Sequence, residues 1–342
     1  MSLNYVFRPI QESDMPAILE IAEQKGAGFN SLPNDAKVMQ AKIIQSINSF
    51  SEKLDFNKRY YFFVLENSDT QEMMGSASIE TNLGYLWPFY KYKISTLVQI
   101  SKALNQHKEH QILSLVTEHQ GATELGALYL KPAYRGEGRG TFLSRARCLF
   151  IAEFLNNFSE KIVADMRGMS NQDEISPFWE AIGHYFADIP YSEASHLKAT
   201  KGSQFLVDLM PHLPIYIDLL PEIAKKVIGK VHKNTAPALH VLEKEGFQFK
   251  NHVDIFDAGV TIEAEKLHLK TVRESKKAAL VAFKDSVKKE PTMMISNTKH
   301  NHFRAVVGAL EELREKEIAL STAVAKQLQI SVGDKLRYCS LR

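Results

Sequence analysis

The stretch Arg135-Gly136-Glu137-Gly138-Arg139-Gly140 has the composition of an anion-binding loop. Glycines at 136, 138 and 140 permit positive φ and uncover backbone N–H groups, and a helix opening near Thr141 would add the positive end of its dipole. A pyrophosphate suits such a loop. No Gly-Lys-Ser/Thr closes it, so it is not a nucleotide P-loop, and dinucleotide binding would require an acidic residue after a second strand. The plain alternative is a glycine-rich turn between strand and helix. Other reactive types are sparse: Cys148 and Cys339 lie far apart, and His107-x-x-His110 and His300-Asn-His302 lack further ligands at zinc spacing, so no metal site is expected.

The surrounding elements must place that loop. The run Leu125–Leu130 reads as a strand entering it, a helix follows from about Thr141 to Leu155, and Ile162–Met166 reads as a short buried strand. Strand, loop, helix and strand make the βαβ unit of a parallel pair. Upstream, Tyr5–Pro9 reads as a strand, and Ser13-Asp14 opens a helix whose apolar face is Met15, Ile18, Leu19 and Ala22. Tyr60–Leu65 and Met73–Glu80 read as a hairpin. Downstream, Thr235 is expected to cap a helix that carries Pro237 in its first turn and stops at Gly246, before a strand at Phe247–Phe249.

Composition sets outer bounds. A chain of 342 residues, 44% hydrophobic and 24% charged, is an ordinary globular protein of one large core or two smaller ones. Net charge +2 argues for neither nucleic acid nor an anionic membrane. No run reaches the roughly 18 apolar residues of a membrane span, and a signal-peptide core is missing. Cysteine usage fits a reducing compartment, so a cytoplasmic location is expected.

Arg-x-x-Gly-x-Gly after a strand resembles the coenzyme A loop of the GNAT acyltransferases. The segment from Asn234 to Phe247, with Leu242-Glu-Lys-Glu-Gly-Phe247, resembles the last helix-strand unit of the same fold. The implied fold class is α/β (α+β), a mixed, splayed sheet flanked by helices. A further set of motifs closely resembles the arginine N-succinyltransferase family: Gly26-Ala-Gly-Phe-Asn-Ser-Leu-Pro33, Glu124-Leu-Gly-Ala-Leu-Tyr-Leu130, Met166-Arg-Gly168, Ser176-Pro-Phe-Trp179, Leu209-Met-Pro211, Pro214-Ile-Tyr216, Val231-His232, Thr235-Ala-Pro237 and Asp254-Ile-Phe-Asp257. Two segments depart from it. The commoner first loop is Gly-Gly-Gly-Leu-Thr-Ser-Leu-Pro, and the usual Asp-His-Thr-Gly is here Glu118-His119-Gln120-Gly121.

The resemblance implies transfer of a succinyl group from succinyl-CoA, a co-substrate rather than a bound cofactor, to the α-amine of L-arginine. It divides the chain into an acyltransferase core at 1–265, with an insertion at about 169–230, and a small β-rich C-terminal subdomain at 266–342. Subunits homologous to one another, in a homo- or hetero-oligomer, are expected. Leu128 would lie against succinyl-CoA with Tyr129 and Leu130, and the pyrophosphate on Arg135, Gly136, Gly138, Arg139 and Gly140. His232 matches the family's proton donor, and imidazole can supply a proton near neutral pH. Asn30 and Ser31 belong to the loop that borders the acceptor site.

The amine must lose a proton before it attacks, and Glu124 is the nearest carboxylate in sequence. The succinyl carboxylate needs a cation, for which Arg167 is a candidate, with a salt bridge to Asp165 or Glu180 as the alternative use. A guanidinium is best held by carboxylates, and Asp35, Glu80, Glu124, Asp165 and Glu180 are all eligible. With no nucleophile elbow or activated cysteine, direct attack is favoured over an acyl-enzyme. Two rival readings stay open: a related transferase acting on ornithine or a polyamine, and a non-catalytic CoA-binding module. Trp87-Pro-Phe-Tyr90 could serve the core or wall the acceptor pocket, and Lys288-Lys289-Glu290-Pro291 could be a linker or a solvated face.

Overall fold

The computed structural model describes residues 4–24, 29–171, 173–210, 212–284 and 292–342. Gly26, Ala27 and Gly28 of the first loop, Pro211, and the Lys288–Pro291 run lie outside the described residues. Sixteen strands form one sheet: β1 (Tyr5–Pro9), β2 (Tyr60–Asn67), β3 (Met73–Glu80), β4 (Lys91–Ser101), β5 (Gln106–Val116), β6 (Thr123–Leu130), β7 (Lys161–Asp165), β8 (Ile215–Tyr216), β9 (Gln248–Val253), β10 (Val260–Glu265), β11 (Lys276–Phe283), β12 (Met293–Asn297), β13 (Ala305–Gly308), β14 (Leu310–Arg314), β15 (Glu317–Leu320) and β16 (Lys335–Ser340). Their order is β14-β15-β11-β16-β12-β13-β1-β2-β3-β6-β7-β10-β9-β4-β5-β8. This is the mixed sheet the sequence implies, and it contains the expected antiparallel hairpin of β2 and β3.

The parallel pair is short. β6 and β7 pair only at Thr123↔Ile162 and Glu124↔Val163. Beyond that point β7 stays with β10, through Thr261↔Asp165 and the bond from Met166 N–H to the Val260 carbonyl at 2.9 Å. β6 stays with β3, and a wedge opens between the two parallel strands. A bulge sharpens this divergence. Ala127 takes φ 48°, and the β3–β6 register shifts between Ser76 and Ser78. A non-glycine residue there costs on the order of 1–3 kcal/mol unless its surroundings hold it. Two hydroxyls do so: Ser31 Oγ accepts from Ala127 N–H at 3.0 Å, and Ser76 Oγ donates to the Ala127 carbonyl at 2.9 Å.

α1 (Met15–Gln24) and α2 (Ala36–Phe50) cover one face through Ile18, Ile21, Met39 and Ile43. α3 (Arg139–Glu153) fills the crossover between β6 and β7 and is buried all round from Phe142 to Ala152. Phe150 on α3 stacks against Phe63 at 5.1 Å and Phe303 at 4.9 Å, so the C-terminal strands share its aromatic core. Arg145 adds a polar tie: it donates to Glu245, Thr271 and the carbonyls of Ser340 and Leu341, all at 2.8–3.1 Å. A buried guanidinium with that many acceptors meets its desolvation cost locally.

The long segment after β7 folds as short helices packed on the edge of the sheet, with Trp179 stacked on Phe256 at 5.6 Å and 3°. The 11-residue strands β4 and β5 were not anticipated. Among the described residues no helix is long and apolar enough to cross a membrane.

Candidate active site

The wedge between β6 and β7 opens into a cavity of about 950 Å³, within the range of sites for drug-sized ligands. Asn30, Ser31, Lys42, Glu80, Glu124, Leu128, Asp165, Arg167 and Lys198 all line it, so candidates spread across the chain meet in one place. Trp87 is exposed at this wall while Phe89 reaches a small buried cluster, so the aromatic stretch is cavity wall more than core.

The five eligible carboxylates separate cleanly. Asp35 is exposed and caps α2, accepting from Lys37 and Val38 N–H at 2.9 and 3.0 Å. Glu180 is exposed away from the cavity lining. Asp165 pairs with Lys91 and accepts from Thr261 Oγ1 at 2.7 Å. Glu80 and Glu124 remain. They face each other across β3 and β6, line the cavity, and have no hydrogen bond or ion pair among the described residues. Like charges directly opposite repel. Burial, then Asp165 and Glu80, push the Glu124 carboxyl up to about 8. Burial raises Glu80 as well, and Lys42 opposes it.

Behind this pair lies a buried charge network that sequence reasoning missed. Lys91 sits between Asp165 and Asp254, the latter at 3.0 Å, and Lys198 reaches Asp254 at 2.5 Å. Burial works to raise Asp254, but Lys198 and Lys91 outweigh it and hold the carboxylate far below its usual range. Asp257 accepts from the N–H groups of Gly168 and Gly259 at 2.9 Å and from Tyr191 at 3.0 Å. A Cβ at Gly168 would stand 2.3 Å from the Asp257 carbonyl, so this close approach requires glycine. The Asp254-Ile-Phe-Asp257 motif was visible, but nothing in its spacing named the lysines that close it.

The cations differ in the same way. Arg167 has neither of the salt bridges weighed for it: Nη2 donates to Ser170 Oγ at 3.0 Å, and Nε is buried without a partner. Arg147, also in the lining, is fully buried and donates only to Ser144 and the Gly126 carbonyl. Burial lowers its pKa to about 10. Asn30 accepts from Ser195 Oγ at 2.6 Å, so Asn30 and Ser31 tie the first loop to the insertion and to the bulge.

His232 is buried, though outside the cavity lining, and its N–H donates to the carbonyl of Arg167, which does line it. Its Nδ1 accepts from Asn234 N–H at 3.2 Å, which leaves the proton on Nε2. Burial, then Arg167 and Lys233, lower its pKa, so the ring is neutral at pH 7. Thr235, expected to cap the following helix, makes no side-chain cap; the His232 carbonyl accepts from Thr235 and Ala236 N–H instead.

The glycine loop stands at the far end of β6 from Glu124. Gly136, Glu137 and Gly138 take φ of 108°, 51° and 76°, and Gly138 is the N-cap of the 15-residue α3. Arg135 Nε donates to the Leu130 carbonyl at 3.3 Å, and Arg139 pairs with Glu137. Leu130 packs on the main core, and Tyr129 meets Phe29 edge-on at 6.1 Å. Gly138→Ala is expected to lose about 1–2 kcal/mol of stability, the cost of a side chain in the left-handed region, as thermal unfolding would register.

A second cluster sits away from the cavity. His119 Nε2 bonds Glu263 at 2.7 Å, and the His119 and His252 rings are 4.4 Å apart. Ligand atoms of these three residues lie within 4.8 Å of one another. Lys161 and Lys250 already stand 3.4 and 3.5 Å from Glu263, so its charge is met by ammonium groups.

Comparison with known proteins agrees with this geometry along the whole chain. A family model described as arginine N-succinyltransferase beta subunit matches residues 5–271, and one for the C-terminal domain of that subunit matches 277–340. The chain is 38% identical over 340 residues to an arginine N-succinyltransferase of Yersinia pestis (strain Pestoides F), covering 98% of this chain and 97% of the relative. Identity to one of Escherichia coli O139:H28 is 37% over 336 residues, with the same coverage. A solved structure of the arginine/ornithine succinyltransferase subunit AI from Pseudomonas aeruginosa superposes with a TM-score of 0.91 at 31% identity, covering 99% of each chain. The chain belongs to the arginine N-succinyltransferase beta subunit family.

Proposed function

We infer that the protein transfers the succinyl group of succinyl-CoA to the α-amine of L-arginine, giving N2-succinylarginine and CoA by direct attack in a ternary complex. Family membership along the full chain supports this, and one structural observation carries it: two carboxylates without partners and one arginine without a counter-ion share the cavity of the splayed strands. A cationic amine and an anionic acyl group are complementary to that set.

Glu124 takes the proton of the amine, whose own pKa is about 7.7–8.0 in model compounds, so donor and acceptor are closely matched. The freed amine attacks the thioester carbonyl beside Leu128, where a backbone N–H of the bulged strand stabilises the oxyanion. The C–S bond then breaks and CoA leaves as a thiolate, which His232 stabilises through Nε2–H. Arg167 faces the succinyl carboxylate, with Asn30 and Ser31 shaping the acceptor side. The loop at Arg135, Gly136, Gly138, Arg139 and Gly140 holds the pyrophosphate, with Tyr129 and Leu130 along the pantetheine. In this reading residues 1–265 are the catalytic core, and 266–342 support it from the side of α3.

Free thiol released from succinyl-CoA or acetyl-CoA, followed with arginine, ornithine, lysine and spermidine, tests the assignment. Release with succinyl-CoA and arginine is expected. Its absence overturns the reading, and release with another pair moves the assignment to a related acyltransferase. Thiol-free binding of CoA in every mixture would leave a binding module.

A further inference from the structure

We propose that Glu80 binds the side-chain cation of the acceptor, so that the cross-strand pair Glu80–Glu124 reads both ends of an arginine molecule. The proposal rests on the function inferred above and adds the residue that sets its substrate class.

Every other carboxylate of the cavity already has its cation or its donors: Asp165 has Lys91 and Thr261, Asp254 has Lys91 and Lys198, and Asp257 has two backbone N–H groups and Tyr191. Only Glu80 and Glu124 are left to meet a ligand, among the described residues. Their places differ. Glu124 is the last β6 residue paired with β7, at the mouth of the wedge where the thioester would lie. Glu80 ends β3, one strand further from the wedge, about 4.8 Å away in the sheet direction. An acceptor with its amine at Glu124 can therefore extend its far end over β3.

The groups around Glu80 fit a guanidinium. Tyr60 is its cross-strand partner on β2, and Lys42 on α2 lies over the Tyr60 ring at 4.6 Å. Lys42 is the cation facing Glu80 and Glu124 from α2, and it makes no ion pair among the described residues. Asp165 on β7, Lys91 on β4, Lys198 from the insertion and Arg147 on α3 face Glu124 rather than Glu80. The acceptor's cation would complete the charge that Lys42 leaves unbalanced, beside an aromatic face on which a planar cation can stack.

Citrulline, the neutral ureido isostere of arginine, separates charge recognition from shape. Initial rates with succinyl-CoA would be measured for wild type, Glu80→Gln and Glu80→Asp with each acceptor. In Glu80→Gln, kcat/KM for arginine is expected to fall on the order of 10–100-fold, carried by KM with kcat nearly retained, as for loss of one charged hydrogen-bond pair. Citrulline turnover should be unchanged, and Glu80→Asp should fall between the two enzymes for arginine.

Unchanged KM for arginine, or equal losses for both acceptors, would overturn the proposal. Should the glutamine variant not fold, the aspartate variant decides by the same comparison. Wild-type turnover keeps the two inferences apart: if succinyl-CoA and arginine release no thiol, the function itself is wrong, whereas normal wild-type turnover with an indifferent Glu80→Gln removes this residue alone.

Discussion

Glu124→Gln is expected to lower kcat with arginine by about 10²–10⁴-fold, the usual worth of a positioned general base, while leaving CoA binding intact. The wild-type pH profile carries the sharper signature. The Glu124 carboxyl, held near 8 by burial and by Asp165 and Glu80, must be ionised to accept a proton, and the amine must arrive or become neutral over the same range. Log kcat/KM should therefore rise with pH on a slope approaching two below about pH 7.5 and flatten above about 8.5. In Glu124→Gln only the amine still titrates, so the slope should drop to one. A variant that keeps a slope of two, or loses less than tenfold in kcat, would exclude Glu124 as the base.

The same residue should reveal itself in stability. An unfolded glutamate titrates near 4.3, whereas this one is protonated to about 8 in the fold. The native state thus holds the extra proton between those values, and its stability falls as pH rises through that window. Above pH 8 the full cost of ionising a buried carboxyl is present. Glu124→Gln lacks that cost, so its Tm should exceed that of wild type at pH 8.5 and converge with it below pH 4. A site that is less stable than its neutral isostere but faster in catalysis is what a poised base requires.

How far the sequence reaches can be judged at particular residues. The glycine loop, the βαβ unit around it and the hairpin of β2 and β3 were legible because each is written in local chemistry: glycines where φ turns positive, alternating apolar residues, and a helix stop at Gly246. The bulge at Ala127 was not legible, since alanine has no intrinsic preference for φ 48° and the conformation is held by Ser31, 96 positions away in sequence. The same limit applies to the carboxylates. Five were eligible, and only tertiary pairing, Lys91 with Asp165 and Lys198 with Asp254, shows which are already occupied. β4 and β5 escaped notice because their outer halves are exposed on both faces, so no apolar alternation marks them.

His232→Ala is expected to lower kcat by about 10²–10³-fold, the loss typical of one preorganised donor, with CoA affinity unchanged. The structure favours a donor that keeps its proton. Full transfer from an imidazolium would require His232 protonated, yet burial, Arg167 and Lys233 lower its pKa below the ordinary 6.5. Glu124 needs the opposite condition, since it accepts a proton only as pH approaches 8. The two states would coexist in a small fraction of molecules. A neutral ring avoids this conflict: Nδ1 is held by Asn234 N–H at 3.2 Å, Nε2–H points its positive end outward, and a thiolate of pKa near 8.5 can leave against it without taking the proton. Two results follow. His232→Asn, which retains an N–H donor but cannot titrate, should recover part of the rate lost in His232→Ala. The wild-type profile should show no fall in kcat as pH rises through 5.5–6.5. An alkaline decline in that range that vanishes in His232→Ala would restore the imidazolium, and near-normal turnover in His232→Ala would remove the residue from the mechanism altogether.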